Sequence, residues 1–169
     1  IHWLGSSTGK TDEPAQTVYF GGGTPSLLSI RQVEALLAAV DLSFGLMENA
    51  EITLEANPGT LTLDYLRELR ATGVNRLSLG VQSFSDAELA QLGRIHTCEE
   101  AMESIFWARQ AGFENLSLDL IFGLPEQSLR AWENNLREVI RIHPEHLSLY
   151  NLIVEDGTPL AEQIARREI

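Results

Sequence analysis

Apolar positions along the chain follow two alternating patterns, one typical of strands and the other of helices. Short apolar runs predict β-strands at 17–21, 51–56, 76–82, 116–122 and 147–153. Between these runs, apolar residues recur every three or four positions, and together with start and stop signals they predict helices at about 30–41, from Thr62 to Gly73, a short one from Ser85, from Thr97 to Gly112, and at 129–142. Strands that alternate with helices require right-handed crossovers and a parallel sheet. The chain is therefore predicted to adopt an α/β fold with five parallel strands.

Capping residues support the helix boundaries. The expected start signals are Ser29 with Gln32, Ser85 with Glu88 and Thr97 with Glu100, and the expected stops are Gly73 and Gly112. The last helix is expected to present an apolar face made of Leu129, Trp132, Leu136, Val139 and Ile140.

Polar residues and glycines concentrate where the predicted strands end. They are Gly21–Thr24, Glu55 and Asn57, Gln82 and Ser83, Asp119 with Gly123, and Tyr150 with Asn151. Parallel β/α folds bind ligands at the carboxyl ends of their strands, and strands buried by helices are otherwise nearly all apolar. The pattern predicts one shared site, with ordinary polar strand caps as the alternative.

The chemistry of these residues suits a nucleoside that carries an amino-acid tail. Three consecutive glycines at 21–23 let a ligand approach the main chain, because they lack a Cβ. Glu55 could accept hydrogen bonds from both hydroxyls of a ribose, and Arg94 could bind a carboxylate.

Composition narrows the classes of function. The 169 residues carry a formal net charge of −12, which argues against a nucleic-acid backbone or an anionic membrane surface as the main partner. A single cysteine, Cys98, excludes an intrachain disulfide and favours a cytoplasmic location. Residues 5–11 imitate a phosphate-binding P-loop, but only three residues separate the two glycines, so nucleotide triphosphate binding is not expected. No apolar run is long enough to span a membrane.

Six segments resemble one known family. These are GGGTPSLL at 21–28, EANPGT at 55–60, RLSLGVQSF at 76–84, LGRIHT at 92–97, LDLIFGLPEQ at 118–127 and LSLYNL at 147–152. They are similar to the radical S-adenosylmethionine (SAM) family of oxygen-independent coproporphyrinogen III oxidase, and EANPGT resembles its heme-chaperone-like branch more closely. The resemblance implies a partial β/α barrel, S-adenosylmethionine as cofactor, and either oxidative decarboxylation of coproporphyrinogen III or heme transfer to a recipient protein.

The resemblance also implies roles for eight positions. Gly22 matches a glycine that meets the methionine amino group of S-adenosylmethionine, and Glu55 matches an acid near that molecule. A second S-adenosylmethionine site in the oxidase corresponds to Gly23, Thr24, Gln82, Arg94 and Asp119, with Ile153 at a backbone position beside it.

One family feature is missing from the sequence. The family holds a [4Fe–4S] cluster with three thiolates of a Cys-x-x-x-Cys-x-x-Cys motif, whereas Cys98 is the only cysteine. We therefore expect an internal fragment that is inactive as an enzyme by itself. Residues 1–16 would be the end of a preceding helix and a polar loop, 17–154 the barrel core, and 155–169 a linker.

Two other classes remain open. A degenerate barrel kept as an interaction module would share the fold but bind no S-adenosylmethionine. A β/α-barrel lyase or aldolase would need a buried lysine for Schiff-base chemistry, yet the only lysine is Lys10, in the polar loop.

Overall fold

The computed structural model describes residues 13–155 and 157–166, so the P-loop-like run and Lys10 lie outside the described residues. In chain order the elements are β1 (Ala15–Phe20), α1 (Ile30–Phe44), β2 (Leu46–Ala56), α2 (Leu63–Ala71), β3 (Arg76–Gln82), α3 (Asp86–Gln91), α4 (Cys98–Gln110), β4 (Asn115–Phe122), α5 (Leu129–Ile142), β5 (His146–Asn151) and α6 (Pro159–Ala165).

The five strands of the described chain form one parallel sheet in the order β1-β2-β3-β4-β5. Each strand pairs with the strand that follows it in sequence, so one or two crossover helices connect every neighbouring pair up to β5. Parallel neighbours joined in this way produce the open half-barrel that the alternation predicts. The predicted α/β class and partial barrel are confirmed.

Each strand has one apolar side and one polar side. Leu54, Leu77, Leu79, Leu116 and Leu118 are fully buried, in one cluster with apolar residues of the helices. The neighbouring positions form the opposite side, where Glu55 pairs with Ser78, Ser78 with Ser117, and Asp119 with Ser148. The expectation that these strands are nearly all apolar is therefore wrong. Helix residues pack on one face of the sheet, and the other face forms the polar inner wall of the half-barrel.

Most helix boundaries agree with the capping signals. Both expected capping boxes, at Ser29 and Thr97, are formed. The third start signal is only half correct. Ser85 is the N-cap of α3, but its side chain caps nothing, and the Glu88 side chain instead binds Ser83 and Asn135. A tertiary network therefore outcompetes the local cap.

The apolar face of α5 differs from the expectation. Leu129 is 74% exposed and Ile140 is 66% exposed, whereas Asn135 and Val139 are buried. The helix is turned so that Asn135 enters a polar network next to the end of β3, which leaves part of the apolar stripe outside the core. Three strand ends also shift by two residues or more. β2 begins five residues earlier than predicted, at Leu46, β1 begins two residues earlier, at Ala15, and β5 ends at Asn151 instead of residue 153.

Across residues 13–155 and 157–166, no helix combines the length and the apolar character that a bilayer crossing requires.

Candidate ligand site at the carboxyl ends of the strands

A cavity of about 310 Å³ opens where β1, β2 and β3 end, with β4 forming its far wall. This volume lies at the lower end of the range of ~300–1,000 Å³ for small-molecule sites. Six of the eight predicted residues line this cavity, namely Gly23, Thr24, Glu55, Gln82, Arg94 and Asp119. The structure thus brings together groups that are almost 100 residues apart in sequence. Their assignment to cofactor binding stays a prediction.

The glycine loop forms one rim of the cavity. Gly22 and Gly23 have φ angles of 84° and 60°, and a Cβ built on either would meet no atom within 4 Å. Glycine is therefore needed here for its backbone conformation, and the space beside the loop is open to a ligand. The Gly22 N–H donates to Glu55 Oε2 at 3.1 Å, so Gly22 joins the site through Glu55.

Glu55 is held by two donors from β1 and its loop. Besides Gly22, the Tyr19 hydroxyl donates to Oε1 at 2.8 Å. A Cβ on Gly21 would lie 2.8 Å from the Tyr19 ring and 3.2 Å from Glu55 Oε1, which explains why this position is a glycine. Partial burial, followed by the hydrogen bond to Glu55 and its charge, raises the pKa of Tyr19 to about 12. The phenol therefore stays a donor throughout the physiological range.

Asp119 is the second acid of the cavity. It lies within β4 and not at the strand end, and Ser78 donates to its carboxylate at 3.1 Å. Burial raises the pKa of Asp119; hydrogen bonds from Ser148 and Ser78 oppose the shift, and the charge of Glu55 adds to it. A carboxyl group kept in a site that disfavours its charge is typical of functional positions.

The cationic group of the site is Arg94. Its backbone is fixed by a bond from its N–H to the Leu89 carbonyl, in the loop after α3. Within the described residues its guanidinium has no ion pair or hydrogen-bond acceptor, although Glu55 and Asp119 line the same cavity. It is therefore available to an anionic group of a ligand.

Several predicted members of the shared site lie elsewhere. Ile153 follows the end of β5, is 75% exposed and does not line the cavity. Ser83 faces away and donates to Glu88. Asn151 packs over Gly123, with Oδ1 2.7 Å from the position of a Cβ there.

Three residues that sequence reasoning missed belong to the site: Tyr19, Ser78 and Gly80. The signal that could have found the first two is the period-two alternation of TVYF and RLSLG. It places Tyr19 and Ser78 on the same face as Glu55.

No metal site is visible in the described part of the chain. There, no group of three His, Cys, Asp or Glu side chains is arranged to hold an ion.

A larger cavity, of about 560 Å³, lies between α4 and α5, and Cys98 forms part of its wall. Burial and the charges of Asp86 and Glu138 raise the pKa of this thiol, which disfavours its reactive thiolate form.

Comparison with known proteins agrees with this fold. The model of the Radical SAM superfamily matches residues 8–139. The chain is 46% identical over 143 residues to heme chaperone HemW of Escherichia coli, covering 85% of this chain and 38% of that protein. It is 42% identical over 149 residues to radical S-adenosyl methionine domain-containing protein 1, mitochondrial, of Bos taurus, covering 88% of this chain and 34% of that protein.

A solved structure shows the same fold. It is coproporphyrinogen III oxidase (HemN) from Escherichia coli, a radical SAM enzyme, with a TM-score of 0.75 and 31% identity over 90% of this chain and 40% of that one. The chain belongs to the Radical SAM superfamily. More narrowly, it is a radical SAM core of the HemW- and HemN-like kind, and it spans little more than a third of the length of these relatives.

Proposed function

We propose that this chain is the S-adenosylmethionine-binding core of a heme-chaperone-like radical SAM protein. The observation that carries the proposal is the convergence of a glycine loop, two acids, an amide and a guanidinium, unpaired within residues 13–155 and 157–166, around one cavity at the strand ends. The higher identity to proteins named heme chaperone favours this type over the oxidase.

The residues present fit S-adenosylmethionine chemically. Its positively charged sulfonium suits a cavity with two acids against one guanidinium, and its carboxylate suits Arg94. Its ammonium group could donate to Glu55 beside the open glycine loop. Bound S-adenosylmethionine would supply an activated sulfur–carbon bond.

A [4Fe–4S] cluster does not fit the residues of this chain. Three thiolates are required, the sequence contains one cysteine, and Cys98 lies beside the other cavity. Any cluster ligands would therefore have to come from outside this sequence, and the proposed role of the chain is to bind and orient the cofactor.

The interaction-module alternative is less well supported. A surface kept only for contact would gain stability by pairing Arg94 with an acid and by replacing Asp119, whose charge is disfavoured by burial. The presence of both groups around an open cavity favours a ligand-binding site over an interaction module.

Heme binding, a recipient protein and the cytoplasmic location remain part of the proposal; one relative is named as mitochondrial.

Calorimetric titration with S-adenosylmethionine tests the proposal. Glu55→Ala removes a charged acceptor worth ~1.5–3 kcal/mol, so the Kd should rise by roughly tenfold or more. The matched control is Glu48→Ala, which removes an exposed glutamate from the same strand and should bind like the wild type. S-adenosylhomocysteine, which lacks the sulfonium charge, should bind more weakly than S-adenosylmethionine. No binding by the wild type, or equal binding by Glu55→Ala, would contradict the proposal.

A further inference from the structure

Gln82 occupies a strained backbone turn at the end of β3. Its φ angle is 68°, and the Ser83 N–H donates to the Val81 carbonyl at 2.9 Å, which closes a three-residue turn around it. The register between β3 and β4 also shifts here. Leu79 pairs with Leu118 and Gln82 pairs with Leu120, so β3 has two residues between these pairs and β4 has one. Such a turn is rare for a residue with a side chain, and strained residues persist only where their surroundings hold them.

The strained turn places the Gln82 side chain against its own strand, inside the cavity. A Cβ built on Gly80 would lie 2.8 Å from Gln82 Nε2 and 3.3 Å from Asn57 Oδ1. Gln82 is only 8% exposed, yet its amide lines the cavity together with Glu55 and Asp119. The carboxamide is therefore offered to a ligand from a fixed direction.

A buried histidine holds the turn from one side. His96 is 4% exposed, and its Nε2 lies 3.2 Å from the Val81 carbonyl oxygen. Because a carbonyl only accepts, Nε2 carries the proton and donates. The same oxygen accepts the Ser83 N–H, so His96 fixes the position of the acceptor in the bond that closes the turn around Gln82.

A second polar group holds the turn from the other side. Asn135 of α5 is 3% exposed, and its Oδ1 accepts the Phe84 N–H at 2.6 Å. Its Nδ2 donates to Glu88 at 2.8 Å, and Glu88 also accepts from the Ser83 hydroxyl and from Gln127 at 3.0 Å. This buried network fixes the two residues that follow Gln82, although none of its members lines the ligand cavity.

We propose that His96 and Asn135 are positioning residues that hold the Gln82 carboxamide in the cavity for the ligand. This inference rests on the proposed function for the identity of the ligand. It explains three features together: the strained turn, the buried histidine and the buried Asn–Glu pair. Direct contact with the ligand does not explain the histidine or the pair, because none of them lines the cavity. Both residues act through Gln82 and touch no ligand themselves.

A double-mutant cycle with S-adenosylmethionine as the probe tests the inference. Gln82→Ala and Asn135→Ala should each weaken binding by roughly fivefold, and the double variant should bind no more than about twofold weaker than either, because coupled residues are not additive. The control is Asn134→Ala, on the preceding, exposed position of the same helix, which should bind like the wild type. Wild-type affinity of Asn135→Ala, or losses that multiply in the double variant, would overturn the inference.

Two further measurements keep the outcome decisive if Asn135→Ala does not fold or the wild type binds no S-adenosylmethionine. His96→Leu should weaken binding, and His96→Gln, which keeps an N–H donor, should restore it; equal affinity of these two variants would contradict the role of His96. Without any ligand, the NMR signals of the Gln82 backbone and side-chain amides should shift in His96→Leu and not in Asn134→Ala. Unchanged Gln82 signals would refute the positioning role, whereas absence of binding with shifted signals would refute only the proposed function.

Discussion

Replacing Gly80 with alanine is the substitution whose effects on binding and on folding the structure separates best. Gly80 has no unusual φ, so its backbone accepts alanine. The added Cβ would lie 2.8 Å from Gln82 Nε2, closer than carbon and nitrogen atoms approach in proteins. Because this nitrogen is the end of a flexible side chain, the carboxamide moves and the backbone stays in place.

The size of the effect follows from that contact. The Gln82 nitrogen must retreat from 2.8 Å to at least 3.4 Å, the beginning of ordinary contact. A displacement of this size would take a hydrogen bond of ~2.9 Å to the ligand out of its favourable distance and angle, so most of its energy would be lost. One neutral hydrogen bond contributes about 1 kcal/mol, which corresponds to roughly a fivefold increase in Kd. Stability should not fall, since Gly→Ala at a compatible position adds ~0.4–1 kcal/mol.

Two assays on the same protein samples measure these quantities. Calorimetry with S-adenosylmethionine gives the Kd, and urea unfolding gives the free energy of unfolding. Glu48→Ala is the control for both assays, because it removes an exposed side chain of β2 that contacts neither Gln82 nor His96. If Gly80→Ala binds like the wild type, Gln82 is not a ligand contact. If Gly80→Ala loses ~2 kcal/mol or more of its free energy of unfolding, the Gln82 side chain does not move aside and the backbone is strained instead, which would contradict the expected local effect.

Three further substitutions test single features of the site. Gln82→Gly should be more stable than Gln82→Ala by about 1 kcal/mol in urea unfolding, because only glycine relieves the positive φ; equal stabilities would contradict the strain. Asp119→Asn should raise the free energy of unfolding at neutral pH and lose this advantage in acid. Because the pKa of Asp119 is raised in the folded state, that state binds more protons than the unfolded state, and wild-type stability falls as pH rises from the ordinary to the raised pKa. An advantage of Asp119→Asn that grows in acid would refute the raised pKa. Tyr19→Phe should remove a tyrosine that titrates near a pKa of about 12 in near-ultraviolet absorbance, and loss of a tyrosine that titrates near the ordinary pKa of 10.0 would contradict its burial beside Glu55.

Local patterns in the sequence were sufficient for most of the architecture. β3 and α5 have the predicted bounds, Arg76–Gln82 and Leu129–Ile142, because strong apolar periodicity and clear caps coincide there. The start of β2 was missed, since residues 46–50 are mixed in polarity and join the sheet partly through the pairing of Leu46 with Ala15. Such a pairing depends on tertiary contact, which a local window does not contain.

The site was most visible in the sequence where its residues lie at strand ends. Glu55 and the glycine loop are visible in the sequence for that reason, and both line or adjoin the cavity. The supporting groups were not visible. Glu88 looks like a capping residue locally, and its actual partner Asn135 lies 47 positions away. The sequence gives no reason for a glycine at position 80, because the reason is that the Gln82 side chain folds back onto its own strand there.

S-adenosylmethionine is expected to bind in the cavity at the strand ends, and not in the larger cavity between α4 and α5. Amide NMR spectra recorded during a titration with S-adenosylmethionine distinguish the two cavities. Saturable shifts are expected at Gly23, Gln82 and Arg94, with Cys98 and Met102 of the larger cavity unchanged. Shifts confined to Cys98 and Met102, or no shifts at all, would show that the cavity at the strand ends is not the binding site.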